Sequence, residues 1–77
     1  MVKLIANYHH DPANLQPIYL AVTTSRTPTA DSWKPAFRDT IGGQRVVWAK
    51  FPERGGGKVN LWLRDSTGDR LVKTVAL

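Results

Sequence analysis

A chain of 77 residues has room for one small domain, 1–77, and a domain of that size buries only about 60% of the surface its unfolded chain would expose, so its core is thin. It contains no cysteine, which excludes a disulfide framework and a thiolate zinc site and leaves three tryptophans and the aliphatic strand faces to carry stability. Eleven Lys and Arg against six Asp and Glu give a formal charge of +5, spread singly from Lys3 to Lys73, a balance that suits either an anionic partner or a solvated surface.

Residues 2–9 alternate Val2, Leu4, Ala6 and Tyr8 against Lys3, Ile5, Asn7 and His9, the period-two pattern of a strand. The short apolar patch before Asn7 falls far below a signal-peptide core, and no stretch approaches the roughly 18 apolar residues of a membrane span. The expected location is cytoplasmic or virion-associated, or secreted if the initial Met is an addition to a mature chain. Pro12 removes a backbone donor, and Asp11, Asn14 and Pro17 make a turn-rich connection to a second strand over 18–24. There Ile18, Leu20 and Val22 share one face, and Tyr19, Ala21 and Thr23 the other.

Residues 25–30 are polar and read as a loop, but a structureless connection as far as Gln44 is too long for a compact domain. Trp33, Phe37 and Ile41 are spaced four apart, as on one stripe of a helix, although they also share strand parity. Pro35 decides for a short helix, because it breaks a central strand ladder but is tolerated in a first helical turn. Asp31 or Ser32 would cap that helix and Gly42 would stop it, while Lys34, preceding proline, argues against helical geometry.

Residues 45–64 predict a β-hairpin closed by the glycine-rich segment 55–57. Folded about Gly55, it sets Val47, Ala49 and Phe51 against Leu63, Leu61 and Val59 on a purely apolar side, and Trp48 and Lys50 against Trp62 and Asn60 on the other. The segment 65–69 predicts a type I turn with Gly68 as a bulge and Asp65 opposite Asp69. A last strand over 70–77 then places Leu71 opposite Leu63, Val75 opposite Val59, and Lys73 at the sheet edge or snorkelling. The sum is a mainly β fold, a small five-stranded antiparallel barrel or sandwich with one short helix between strands 2 and 3.

The chemistry-bearing clusters are sparse. His9, His10 and Asp11 are adjacent, and neighbouring strand residues point to opposite faces, so no metal site is expected. Gly55–Lys58 lacks the spacing and the following helix of a phosphate loop, and Asp65–Gly68 is explained as a turn. Ser25, Ser32 and Ser66 have no evident histidine partner. An enzyme, a cofactor and a small-molecule substrate are therefore not expected.

What remains is the aromatic and basic side of the expected hairpin, with Trp48, Trp62, Lys50, Arg54, Lys58 and Arg64 as the binding candidates. Either the helix covers both rings as a second core layer, or the rings are exposed. The leading expectation is a non-catalytic interaction or assembly module that binds a protein partner or a second copy of itself through a sheet face, an edge or the cationic hairpin tip. The alternatives are a nucleic-acid-binding β module that stacks bases on the two tryptophans, and a carbohydrate-binding module using the same rings.

Overall fold

The computed structural model describes residues 1–24, 26–53 and 57–76. Seven strands follow in chain order: β1 (Val2–Asn7), β2 (Tyr19–Thr23), β3 (Lys34–Pro35), β4 (Phe37–Ile41), β5 (Gln44–Phe51), β6 (Lys58–Asp65) and β7 (Gly68–Ala76). They form two antiparallel sheets, a three-stranded one in the order β1–β5–β4 and a four-stranded one in the order β3–β2–β6–β7. The mainly β expectation holds; of the barrel and sandwich alternatives no closed barrel forms but two antiparallel sheets, and among the described residues there are seven strands in place of five and no helix of the kind expected between strands 2 and 3.

The period-two alternation places the core correctly. Leu4, Ala6, Val47, Ala49 and Phe51 from the three-stranded sheet, Leu20, Val22, Val59, Leu61 and Leu63 from the four-stranded sheet, and Ile18 just before β2 make one buried cluster. Leu20 and Leu61 are wholly enclosed, and burying a side chain of this kind is worth about 1.5–3 kcal/mol.

The expected 45–64 hairpin does not form. β5 pairs with β1 and β4, and β6 pairs with β2 and β7, so the two strands belong to different sheets; the expected glycine-rich tip at Gly55 and Gly56 lies outside the described residues. Val47, Ala49 and Phe51 share a core with Val59, Leu61 and Leu63 as members of two different sheets, not as neighbours on one. Alternation tells which side of a strand is apolar, and two apolar sides are satisfied equally well beside each other or face to face across about 10 Å.

The expected helix is also absent. Ala30–Ser32 is a single 3-10 turn preceded by Thr29, Lys34–Pro35 pairs with β2, and Phe37–Ile41 pairs with β5. Pro35 is accommodated because β3 is an edge strand, where a missing donor breaks no central ladder, and the extended conformation imposed on Lys34 then favours the strand. Gly42 and Gly43 do not stop a helix. They have φ of 59° and 80° and join Ile41 to its cross-strand partner Gln44, the positive-φ pair that a two-residue hairpin turn requires.

The β6–β7 register differs by one residue near the turn and recovers further along. Asp65 faces Gly68, Arg64 faces Asp69 and Trp62 faces Leu71, so Leu71 lies on the outer side and is 51% exposed. An irregularity between Leu61 and Trp62 leaves Val72 as the extra residue and restores the expected pairs Leu61–Lys73 and Val59–Val75. Lys73 is exposed on edge strand β7, and a charge combined with a bulge blunts that edge against further strand pairing.

These positions predict opposite sensitivities for two leucines of the same hairpin. Leu61→Ala should cost about 2–5 kcal/mol in urea denaturation, and Leu71→Ala should change stability by about 0.5 kcal/mol or less. Equal losses at the two positions would overturn the inside and outside assignment.

Candidate functional site

The strand register of the three-stranded sheet builds its outer face row by row. Lys3 lies opposite Lys50, Trp48 lies between Ile5 and Phe37, and Val46 lies between Asn7 and Asp39, with Ile41 beside Gln44 at the hairpin end. Phe37 and Trp48 stack with ring centroids 4.7 Å apart, and the Lys3 ammonium sits 4.1 Å from the Trp48 ring centroid. Phe37 reaches Trp48 from β4 and Lys3 reaches it from β1, so the indole is held between a ring and a cation. Such contacts are worth about 0.5–1.5 kcal/mol for the ring pair and about 0.5–1 kcal/mol for an exposed cation.

The aromatic surface left to solvent belongs mainly to Phe37, which is 57% exposed, with Ile41 at 46% beyond it. Where the chain passes from β3 into β4, Lys34, Pro35, Phe37, Trp48 and Lys50 border an open groove of about 420 Å³. Lys34 donates its ammonium to the Lys50 carbonyl at 3.1 Å and lies 5.2 Å from the Phe51 ring. Among the described residues, the ion pairs are Arg64–Asp69, Arg70–Asp65 and the N-terminal ammonium with Glu53, so Lys3, Lys34 and Lys50 keep their charge unneutralised by a carboxylate.

The outer face of the four-stranded sheet carries the other candidates, and its charged Arg64 is paired within the face. Trp62 lies between Ala21 and Leu71. Arg64 donates two hydrogen bonds to Asp69, at 2.7 and 2.9 Å, and its guanidinium stacks 4.2 Å from the Trp33 ring. This ion pair raises the Arg64 pKa and lowers that of Asp69, both through their mutual hydrogen bonds. Thr74 donates to the Asn60 side chain at 2.9 Å, and Lys58 lies opposite Ala76 at the strand end.

The six candidate residues therefore separate. Trp48 and Lys50 share one outer face, Trp62, Lys58 and Arg64 share the opposite one, and Arg54 lies outside the described residues. The expected facing pair of tryptophans is overturned, because the strands that carry them belong to different sheets. Both indole N–H groups are buried without a hydrogen-bond partner, a cost of about 1–3 kcal/mol each that ring packing must offset. Phe37, Ile41, Lys3 and Lys34 were not among the candidates. The alternation of 2–9 already places Lys3 and Ile5 outward, and the Gly42–Gly43 pair carries the hairpin signal that brings Phe37 beside Trp48.

A polar cluster closes one end of the sandwich. Asp65, with only 6% of its side chain exposed, accepts from the Tyr8 hydroxyl at 2.6 Å, from the Thr67 amide and hydroxyl at 2.9 and 2.6 Å, and from Arg70. Burial by itself pushes the Asp65 pKa up, but the bonds from Thr67, Tyr8 and Arg70 outweigh it and hold the carboxyl well below the usual carboxylate range. Tyr8 is raised, chiefly by its hydrogen bond to Asp65. Among the described residues no three His, Asp or Glu side chains come together as a ligand group, the His9–His10–Asp11 run included.

No family model, no curated protein and no solved structure matches this chain.

The Asp65 cluster sets a pH dependence of folding. A carboxyl depressed in the folded state binds its proton more readily when unfolded, so its stabilisation is complete above the unfolded value of about 3.9 and is lost as pH falls through the folded value. Urea midpoints should drop as pH is lowered below about 4. Asp65→Asn should lose about 1–3 kcal/mol at neutral pH and show a shallower acid dependence; an unchanged acid slope would remove Asp65 as its source.

Proposed function

We propose that this protein is a non-catalytic binding module that engages an acidic protein segment through the outer face of its three-stranded sheet. The observation that supports this most is the exposed Phe37, stacked on Trp48 and bordered by Lys3, Lys34 and Lys50, none of which is ion-paired to a carboxylate among the described residues. An aromatic anchor set in an apolar centre with a charged rim is the anatomy of a protein-binding hot spot. Among the other surfaces considered, the β7 edge is blunted by Lys73 and the bulge, and the four-stranded face spends Arg64 on Asp69.

The sign of the face selects the partner. Three lysines against the single carboxylate of Asp39 leave it positive, so a second copy would bring a like-charged surface, whereas a segment with aspartate or glutamate flanking an aromatic or aliphatic residue complements both rim and centre. A nucleic-acid reading draws on the same lysines, with a base stacking on the open side of Phe37. It no longer draws on a two-tryptophan platform.

Selection from a random peptide display library separates these readings. The expected winners carry acidic residues around one large apolar residue, and Phe37→Ala should weaken them by about 2 kcal/mol, roughly 30-fold in Kd, with the melting temperature little changed. Lys3→Glu combined with Lys50→Glu should reverse the preference toward basic peptides. Winners without acidic character, or binding indifferent to Phe37→Ala, would overturn the proposal. Tight oligonucleotide binding that falls about 20-fold between 50 and 200 mM salt, as three phosphate contacts on a single strand require, would establish the nucleic-acid reading instead.

A further inference from the structure

An edge strand presents a row of unpaired backbone groups, and four strands occupy edges here, β1 and β4 in one sheet and β3 and β7 in the other. Three of them are blunted or tied down. β3 is 2 residues long and contains Pro35, β7 carries Lys73 and an irregular register, and β4 is held to the β1–β2 connection where Arg38 donates to the Asn14 carbonyl at 3.1 Å. β1 differs from all three, with 6 residues of regular pairing and neither proline nor bulge.

The register fixes which of its backbone groups are open. The Tyr8 N–H donates to the Arg45 carbonyl at 3.3 Å, which continues the ladder one step beyond the Asn7–Val46 pair. Bonded and non-bonded pairs alternate along an antiparallel ladder, so Val2, Leu4 and Ala6 bond to β5, while Lys3, Ile5 and Asn7 turn both N–H and C=O to the other side. Among the described residues no strand pairs with that side. A lysine on an edge commonly guards it against further pairing. Here the Lys3 ammonium sits 4.1 Å from the ring centroid of Trp48, which is on β5, so the charge is drawn across the sheet and away from the edge.

The open groups are complementary to a copy of themselves. An antiparallel second β1 centred on Ile5 sets Ile5 against its counterpart and Lys3 against the partner's Asn7, and it is the register that uses every open group on both strands. Leu4 then falls opposite the partner's Ala6 on the core side. The two Lys3 residues stand four positions apart, about 13 Å, beyond the screening length of about 8 Å at physiological salt. A register centred on Lys3 would instead oppose like charges directly.

We infer that β1 is the interface of a two-fold symmetric homodimer, in which the three-stranded sheets of two copies join edge to edge into one continuous sheet. The dimer stands apart from the acidic-segment reading. Stacking two lysine-bearing faces is opposed by their charge, whereas edge pairing sets those faces side by side and leaves Phe37, two strands away from the join, open on each copy.

The test is sedimentation equilibrium of the full chain together with amide exchange followed by NMR. A species of twice the 8.6 kDa chain mass should appear as concentration rises. The Lys3, Ile5 and Asn7 amides should slow about 10-fold or more as it forms, while Leu4 and Ala6 are protected at every concentration. Ile5→Lys and Ile5→Glu each set like charges opposite each other across the two-fold axis and should each weaken dimerisation about 10-fold or more, and mixing the two proteins should restore it. A chain that stays monomeric up to about 1 mM, or a dimer whose Lys3, Ile5 and Asn7 amides exchange as in the monomer, would overturn the interface. So would mixed variants that melt cooperatively yet do not associate. Protection of those amides only on addition of an extended acidic peptide would also overturn it, and would give the edge to a different chain.

Discussion

The structure depends on one constraint, that two sheets each have a single apolar side and must bury them against each other. Five inner side chains from each sheet, with Ile18 just before β2, form the buried cluster. A lone sheet of this size leaves such a face in water, and placing β5 and β6 in different sheets solves the problem. The apolar sides of β5 and β6 share one core from two sheets, so their outward residues, Trp48 on one strand and Trp62 on the other, end on opposite surfaces.

The two outer faces that result are chemically unequal. On the four-stranded sheet, Arg64 is neutralised by Asp69 and covered by Trp33, and Asn60 is bonded to Thr74. On the three-stranded sheet, Lys3 and Lys50, with Lys34 reaching in from β3 of the other sheet, border a stacked aromatic pair, and no carboxylate pairs with them among the described residues. The formal charge of +5, which looks diffuse along the chain, is therefore uneven in space, because the acidic residues of the β6–β7 turn consume the nearby arginines and leave the lysines of β1, β3 and β5 free.

One end of the sandwich shows how a thin core is supplemented by polar closure. Tyr8, Asp65, Thr67 and Arg70 tie β1 to the β6–β7 turn, and Arg38, His10 and Arg45 tie the β1–β2 connection to β4 and β5. The first of these groups is fully bonded around a buried carboxylate, which makes it a fastener. The second ties the loop down through donated hydrogen bonds and leaves two buried nitrogens, His10 Nδ1 and Arg38 Nε, without a protein partner.

The sequence by itself determined which side of each strand is apolar, from Leu4 and Ala6 through Val47, Ala49 and Phe51 to Leu61 and Leu63, because side-chain direction alternates with a period of two wherever the backbone is extended. It also determined that Asp65–Gly68 is a turn, and that something ordered occupies the stretch between Ala30 and Gln44. Only the tertiary structure decided which strands are neighbours, since the pairing of β5 with β1 and β4 is long-range and leaves no local mark. It likewise decided strand over helix for Phe37–Ile41, where a spacing of four satisfies both periods and the choice fell to the edge position of Pro35 and the hairpin turn at Gly42–Gly43. The candidate face follows from those two decisions together: Trp48 and Lys50 were legible as outward residues, but their companions Phe37, Lys3 and Lys34 come from strands whose adjacency the chain order conceals.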